Sequence, residues 1–218
     1  MDCKLIHVQQ DTDEWYALRR TRITASRLAD VMAKPGTKRY DGYMNEITLE
    51  LLGHTEVEES PEWFRHGREM EPNALRLYGL RYKKEILHDC FLVHKDYDWL
   101  GASPDILESE GGENTDAGGE VKCRKLYKNY RDAIARGRKF HEAGNPLGIP
   151  EPGYRFQIQG GMWLTGFDYW WYVNYYEDKH GDVRIGRARI PRDQALIDQM
   201  EERCLAFMKE CYERAGLA

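Results

Sequence analysis

An aspartate, a glutamate and a lysine lie close together near the middle of this 218-residue chain. Asp105 ends the triplet Ser103-Pro104-Asp105, and Glu120 and Lys122 stand on either side of Val121 in Gly-Gly-Glu-Val-Lys-Cys. The polar, glycine-rich stretch between them predicts a turn, and two short apolar runs joined by such a turn predict a β-hairpin or at least two neighbouring strands. Successive side chains of a strand point to opposite faces, so Glu120 and Lys122 share a face while Val121 packs behind them. Carboxylates are the hard oxygen donors that Mg²⁺ takes alongside carbonyls and waters, and the Val121 carbonyl at the strand end is a further candidate ligand. Such a set suits phosphodiester hydrolysis, where two divalent ions roughly 4 Å apart activate water on one side and stabilise the leaving alkoxide on the other. A lysine beside them can hold that water and help deprotonate it, because neighbouring cations lower an amine pKa. The same residues also describe a solvated hairpin with ordinary surface charges, and the hairpin alone does not separate the two readings.

The elements that must position these groups can be read in order. Asp11–Arg20 predicts a short helix with Trp15 and Leu18 on one face. Thr24 is a good N-cap for a helix over Ala25–Ala33, with apolar positions at Leu28, Val31 and Met32. Ser26 falls in its first turn, with Arg19, Arg20 and Arg22 just upstream. Free backbone N–H groups, a hydroxyl and guanidinium groups are what a phosphate needs, although a capped structural helix with solvated arginines explains the same residues. Lys34–Gly42 reads as a basic loop before a helix over Tyr43–Leu52. Ser60-Pro61-Glu62 predicts the start of a helix that runs to about Tyr78 and contains Glu69 and Glu71, with Trp63 and Phe64 expected in the core.

Glu85–His94 predicts a strand, and Tyr97–Ala102 leads into the hairpin. A basic helix is expected over Leu126–Ala143, then a Gly/Pro-rich surface loop over Gly144–Gly153. Tyr154–Thr165 has helical spacing although Gly160 and Gly161 lie inside it. Each glycine costs about 1 kcal/mol relative to alanine, so something should pack very closely there. Asp168–Glu177 and Asp182–Ile190 predict a second hairpin, and Pro191–Ala215 a long terminal helix. With no repeat and no linker, this order predicts a single α/β or α+β domain spanning 1–218, with a mixed central sheet flanked by helices.

Bulk properties bound the function. Hydrophobic residues at 41% support a folded core. The N-terminus is too polar for a signal peptide and no apolar run is long enough to span a membrane, so a cytoplasmic, membrane-free protein is expected. The five cysteines include no C-x-x-C pair, which disfavours zinc and iron–sulfur sites. The net charge of −5 argues against a non-specific nucleic-acid binder, yet eight Lys or Arg residues lie between Lys122 and Lys139 against the single Asp132. A local basic surface of that kind can take a phosphate backbone, and a solvated amphipathic helix would look the same.

Ser-Pro-Asp followed by Gly-Glu-Val-Lys-Cys resembles the PD-(D/E)XK nuclease signature. The wider match is to the lambda exonuclease, or YqaJ-like viral recombinase, branch of that superfamily. Ala17–Leu28 (ALRRTRITASRL) resembles its arginine–serine segment, His66–Ala74 (HGREMEPNA) its helical glutamate, and Tyr154–Gly166 (YRFQIQGGMWLTG) its tyrosine–glutamine helix. These segments occur in family order between about Trp15 and Ile190. The resemblance implies a restriction-endonuclease-like core in which Asp105 and Glu120 ligate Mg²⁺, two ions that Mn²⁺ can replace, with Glu71 as an additional ligand. It implies that Lys122 activates water and Gln157 positions the lysine or the water. Arg19, Ser26 and Tyr154 would bind the terminal 5′-phosphate or adjacent backbone, and Phe64, in competition with Trp63, would be the wedge that splits the last base pairs. Gly36 replaces the family's basic residue in the first loop, so Lys38 or Arg39 would substitute. The implied protein is a homotrimeric ring, encoded by a phage or prophage, that degrades one strand of linear duplex DNA from its 5′ end. Its 3′ single strand would pass to a single-strand annealing protein. An endonuclease with the same core and a non-catalytic DNA-end-binding module are the competing readings.

Overall fold

Three helices start where a short polar side chain caps them. Thr12 accepts from the Trp15 N–H at 3.3 Å and starts α1 (Asp13–Arg19). Thr37 accepts from the Tyr40 N–H at 3.4 Å and starts α3 (Lys38–Leu51), and Asp193 accepts from the Leu196 N–H at 3.1 Å and starts α7 (Gln194–Arg214). Such caps satisfy backbone donors that the first helical turn leaves open. The computed structural model describes residues 1, 3–54, 62–109, 115–143 and 152–217. Its elements, in chain order, are β1 (Cys3–His7), α1, β2 (Ile23–Thr24), a 3₁₀ turn (Ala25–Arg27), α2 (Leu28–Val31), α3 (Lys38–Leu51) and α4 (Glu62–Tyr82). There follow β3 (Glu85–Leu87), β4 (Cys90–His94), β5 (Leu100–Ala102), β6 (Ile106–Ser109), β7 (Thr115–Arg124), α5 (Tyr127–Ala143), α6 (Pro152–Thr165), β8 (Tyr169–Glu177), β9 (Val183–Pro191) and α7 (Gln194–Arg214).

The strands form two mixed sheets flanked by helices, where the sequence predicts one. The first has the order β1-β4-β5-β2 and the second β3-β6-β7-β8-β9. The expected hairpin is present as β6 and β7, antiparallel with Ile106 opposite Gly119. Strand β7 then pairs in parallel with β8, placing Lys122 opposite Asn174, and β8 and β9 form the second hairpin. Alternation along β8 separates two cores: Trp170 and Tyr172 pack into a cluster with α2, α3, α6 and α7, whereas Val173 and Tyr175 pack with Ala74, Leu75 and Tyr78 of α4.

Three sequence expectations need correction, and one strand has no counterpart among them. The run Glu85–His94 breaks at exposed His88 and Asp89 into β3 and β4, which join different sheets, so two polar residues inside an apolar run mark the switch. Strand β1 was not anticipated. Thr24 is buried at the end of β2 and makes no side-chain cap, so Ala25–Ala33 is a 3₁₀ turn followed by one α-helical turn. Helix α3 begins at Lys38 rather than Tyr43, because Thr37 caps it and Tyr40, Tyr43, Met44 and Ile47 form its buried stripe. The helix start at Ser60-Pro61 and most of the Gly144–Gly153 loop lie outside the described residues.

The expected close packing at Gly160 and Gly161 is present. A methyl group on Gly160 would stand 2.2 Å from Leu28 Cδ1, and one on Gly161 2.7 Å from the Trp170 ring. Glycine at these positions lets α6 press against the segment that carries Ser26 on one side and against the sheet on the other. No helix among the described residues is long and apolar enough to cross a membrane.

Candidate active site

The β6–β7 hairpin brings the three central groups together. With Ile106 opposite Gly119, the residue before β6 reaches the level of Glu120 and Val121. The Val121 N–H donates to Asp105 Oδ2 at 2.7 Å, which fixes that carboxyl at the strand start. Two residues apart on one strand face, Lys122 Nζ donates to Glu120 Oε1 at 2.5 Å. Glycines 118 and 119 make room on β7: a Cβ on Gly118 would overlap the Trp170 ring, and one on Gly119 would crowd Ile106. Helix α6 closes the site from above, with the Tyr154 ring centroid 4.3 Å from Lys122 Nζ. Such a contact favours a charged ammonium.

The electrostatics are those of an acidic surplus. Burial, and then the charges of Glu120 and Glu71, hold the Asp105 carboxyl well above the usual carboxylate range. Burial and the Glu120 charge likewise push Glu71, on α4, up to about 7. For Lys122, burial would lower the pKa, but Glu120 and Asp105 more than offset it and the amine is raised. Set against the expectation of a lowered amine, the side chains alone keep Lys122 protonated.

Three carboxyls crowded around one ammonium, all oxygen donors, suit a hard divalent cation. Among the described residues no three His, Cys, Asp or Glu side chains converge into a ready-made cage. Mg²⁺ does not require one, since it keeps several waters and uses one or two carboxylates together with substrate phosphate. The donor set therefore fits magnesium and not the closed thiolate–imidazole sites of structural zinc.

A small cleft opens beside Glu120, lined by Arg19, Ser26, Ser103 and Gln157 among others. Arg19, at the end of α1, lies over the Trp15 ring at 4.3 Å, and Trp15 Nε1 in turn donates to Ser103 Oγ at 2.7 Å. Burial lowers the Arg19 pKa, and no carboxylate among the described residues lies within ion-pair distance of it. Ser26 is exposed, its hydroxyl 3.2 Å from Thr24 Oγ1. The cleft thus holds a desolvated guanidinium, hydroxyls and an amide, a set suited to an anion.

Nearby arginines have structural work instead. Arg27 is bidentate to Glu46 at 3.0 and 2.8 Å and also bonds Asp30. Arg22 donates to the carbonyls of Asp98 and Leu18, tying the end of α1 to the chain before β5. Arg39 pairs with Asp30 from the first turn of α3, next to exposed Lys38, and neither residue lines the cleft. Tyr154 sits over Lys122 and is not among the cleft residues. The side chains of Phe64 and Trp63 lie outside the described residues. A second cleft, of about 700 Å³, runs along α4 and meets the site at Glu71.

Sequence reasoning passed over Ser103 and the polar side of Trp15. Ser103 was in view, within Ser-Pro-Asp, but only Asp105 of that triplet was given a part. The indole–serine bond spans 88 positions and leaves no local signal.

Known proteins share this fold. The model of the YqaJ-like viral recombinase domain matches residues 14–168. The crystal structure of the alkaline exonuclease LHK-Exo from Laribacter hongkongensis is 28% identical, with a TM-score of 0.72 over 94% of this chain and 95% of that one. Its complex with dAMP gives 27% and 0.70 over the same shares. A phage related exonuclease from Haemophilus somnus 129PT has the same fold at 18% identity, with a TM-score of 0.60 over 88% of this chain and 94% of that one. No curated protein is detectably similar. Family and fold together define a nuclease. The chain belongs to the YqaJ-like viral recombinase family.

Proposed function

We propose that this nuclease is a magnesium-dependent 5′-to-3′ exonuclease that degrades one strand of linear double-stranded DNA and leaves a 3′ single-stranded overhang. The observation that carries the reading is the anion-suited cleft of Arg19, Ser26, Ser103 and Gln157 opening directly beside Glu120. A terminal phosphate seated there places the adjoining phosphodiester at the carboxylates, and so sets where the strand is cut.

In this reading Asp105, Glu120 and the Val121 carbonyl hold the metal, two Mg²⁺ ions or Mn²⁺ in their place, with Glu71 completing the set. When bound, the metal supplies Lewis-acid polarisation of the phosphoryl oxygens and a more acidic water. Lys122 holds and orients the attacking water through its ammonium, with Tyr154 keeping the amine over the site. Gln157 orients the terminal phosphate or the water, and Arg19 neutralises the phosphate with the Ser26 and Ser103 hydroxyls as donors. Lys38, exposed where Arg39 is held by Asp30, or Arg39 itself would meet the duplex backbone farther out, and Phe64 would be the wedge at the DNA end. The family implies a homotrimeric ring, built from one nuclease domain per chain, acting in the cytoplasm of a bacterial host. Its single-stranded product passes to a single-strand annealing protein.

The test is strand-resolved product analysis on a 5′-phosphorylated duplex with differently labelled ends, in Mg²⁺. Mononucleotides should come from the 5′ end of one strand, and a covalently closed circle should stay intact. Cutting of the circle would favour the endonuclease with this core, and no release at all would favour a DNA-end-binding module.

A further inference from the structure

Beyond the catalytic cleft, β7 and β8 end in a group of tyrosines that neither the hydrolytic chemistry nor the core accounts for. Tyr127 and Tyr130 of α5 and Tyr176 of β8 form a mutual cluster, with ring centroids 6.1, 5.5 and 6.4 Å apart. Tyr127 is 50% exposed, and its neighbour Leu126 is 61% exposed. Packing of α5 onto the sheet is supplied by Ala133, buried at 1%, by Ile134, which fills the space over Gly186, and by half-buried Tyr130, whose hydroxyl also lies over Gly186. Tyr127 touches that packing through Tyr130 and Tyr176, and half of its surface stays open.

The residues flanking this cluster on α5 are mainly basic. Lys125 and Lys128 are exposed with no ion-pair partner among the described residues, and Arg131 meets only its sequence neighbour Asp132, at 3.3 Å. Arg81 of α4 and Arg184 of β9 both act on the Tyr130 hydroxyl. The first turn of α5 contains no acidic residue. Cations at a helix N-terminus oppose the helix dipole, and an anion seated there would satisfy both the dipole and the lysines. All this belongs to a chain whose net charge is −5.

Position links the cluster to the site. In the parallel β7–β8 register Lys122 pairs with Asn174, and Arg124 pairs with Tyr176. Tyr176 is therefore two residues, about 7 Å, past the level of Lys122 along the strands.

We propose that Tyr127, Tyr130 and Tyr176, with Lys125, Lys128 and Arg184, form a stacking platform for single-stranded DNA, the strand left unpaired as its complement is hydrolysed. Aromatic faces beside a cationic track bind single strands without regard to sequence, because every base has a π-face. A duplex cannot use the platform, since its bases are already stacked on one another. The inference rests on the exonuclease reading for the origin of the strand, and its test does not depend on hydrolysis.

Fluorescence anisotropy of a labelled 5′-hydroxyl (dT)₁₂ in EDTA measures the platform directly. Tyr127→Ala should weaken binding about tenfold, the scale of one base stacked on an aromatic ring. Tyr127→Phe should bind within about twofold of wild type, and an abasic oligonucleotide of equal length should bind wild type and Tyr127→Ala equally weakly. The double variant Lys125→Ala, Lys128→Ala should lower the slope of log affinity against log salt by about 1.4. Equal (dT)₁₂ affinity for Tyr127→Ala and wild type would overturn the proposal, as would abasic DNA binding as tightly as (dT)₁₂. A wild type that binds (dT)₁₂ in this pattern but hydrolyses no DNA would overturn the exonuclease reading and leave the platform standing.

Discussion

Two carboxylates on the same hairpin, three positions apart, meet opposite fates. Glu108, on β6, accepts from Tyr78 at 2.5 Å and from Arg187 at 2.9 Å, and the guanidinium lies between the Tyr82 and Trp171 rings at 3.9 and 3.7 Å. One buried anion meets one cation, and both are hydrogen-bonded. Asp105, just before β6, shares its surroundings with Glu120 and Glu71 and with one ammonium. The first group is a closed account of charge that locks α4 and β9 onto the sheet. The second is left with an excess of negative charge in a recessed place, which folding alone does not favour. The same contrast separates Arg27, bound by Glu46 and Asp30, from Arg19, which lies over an aromatic face and meets no carboxylate among the described residues. Satisfied charges hold this fold, and unsatisfied ones mark where it works.

Substitutions on the two sides should fail differently. On the unsatisfied side, Glu120→Ala and Lys122→Ala should each lower the rate of nucleotide release by about 10³-fold or more, within or above the range for losing a proton-transferring group. DNA-end binding, followed by anisotropy in Ca²⁺, should persist. A variant that loses end binding and cleavage together would make these residues structural and erase the contrast.

On the satisfied side, Arg187→Ala strands Glu108 in the core and should cost about 3–5 kcal/mol in urea unfolding. Arg187→Met together with Glu108→Leu should recover much of that loss, because the cost is that of an unpaired charge. A single variant as stable as wild type would show that the network does not hold α4 in place.

A smaller effect is expected at the cleft. Arg19→Ala should reduce the preference for a 5′-phosphate over a 5′-hydroxyl end by about tenfold, the worth of one charge-assisted contact of roughly 1.5 kcal/mol. Equal preference ratios in variant and wild type would remove Arg19 from phosphate recognition.

Legibility in the sequence follows the range of the interactions. The β6–β7 hairpin can be read because its alternation and its three groups lie within about twenty consecutive residues. Gly160 and Gly161 announce close packing because glycine inside a helix is costly wherever it occurs. The β3–β4 break is written only in the two polar residues His88 and Asp89, and the early start of α3 only in Thr37, which a basic loop disguises. The Glu108–Arg187 and Trp15–Ser103 contacts span 79 and 88 positions, so no spacing rule reaches them. The cleft was half legible: its arginine and hydroxyl come from one segment, but Ser103 and Gln157 join them only when α6 closes over the sheet.

The central claim, that the crowded carboxylates are built to receive a divalent cation, is tested most directly by thermal melting in EDTA and in increasing Mg²⁺, for wild type and Asp105→Asn. At a concentration 100-fold above the dissociation constant, Mg²⁺ should stabilise wild type by about 2.7 kcal/mol, a rise of several degrees in Tm. Asp105→Asn should melt no lower than wild type in EDTA, because mutual repulsion is relieved, and should gain little from Mg²⁺. Equal gains in the two proteins, or none in wild type, would contradict the account.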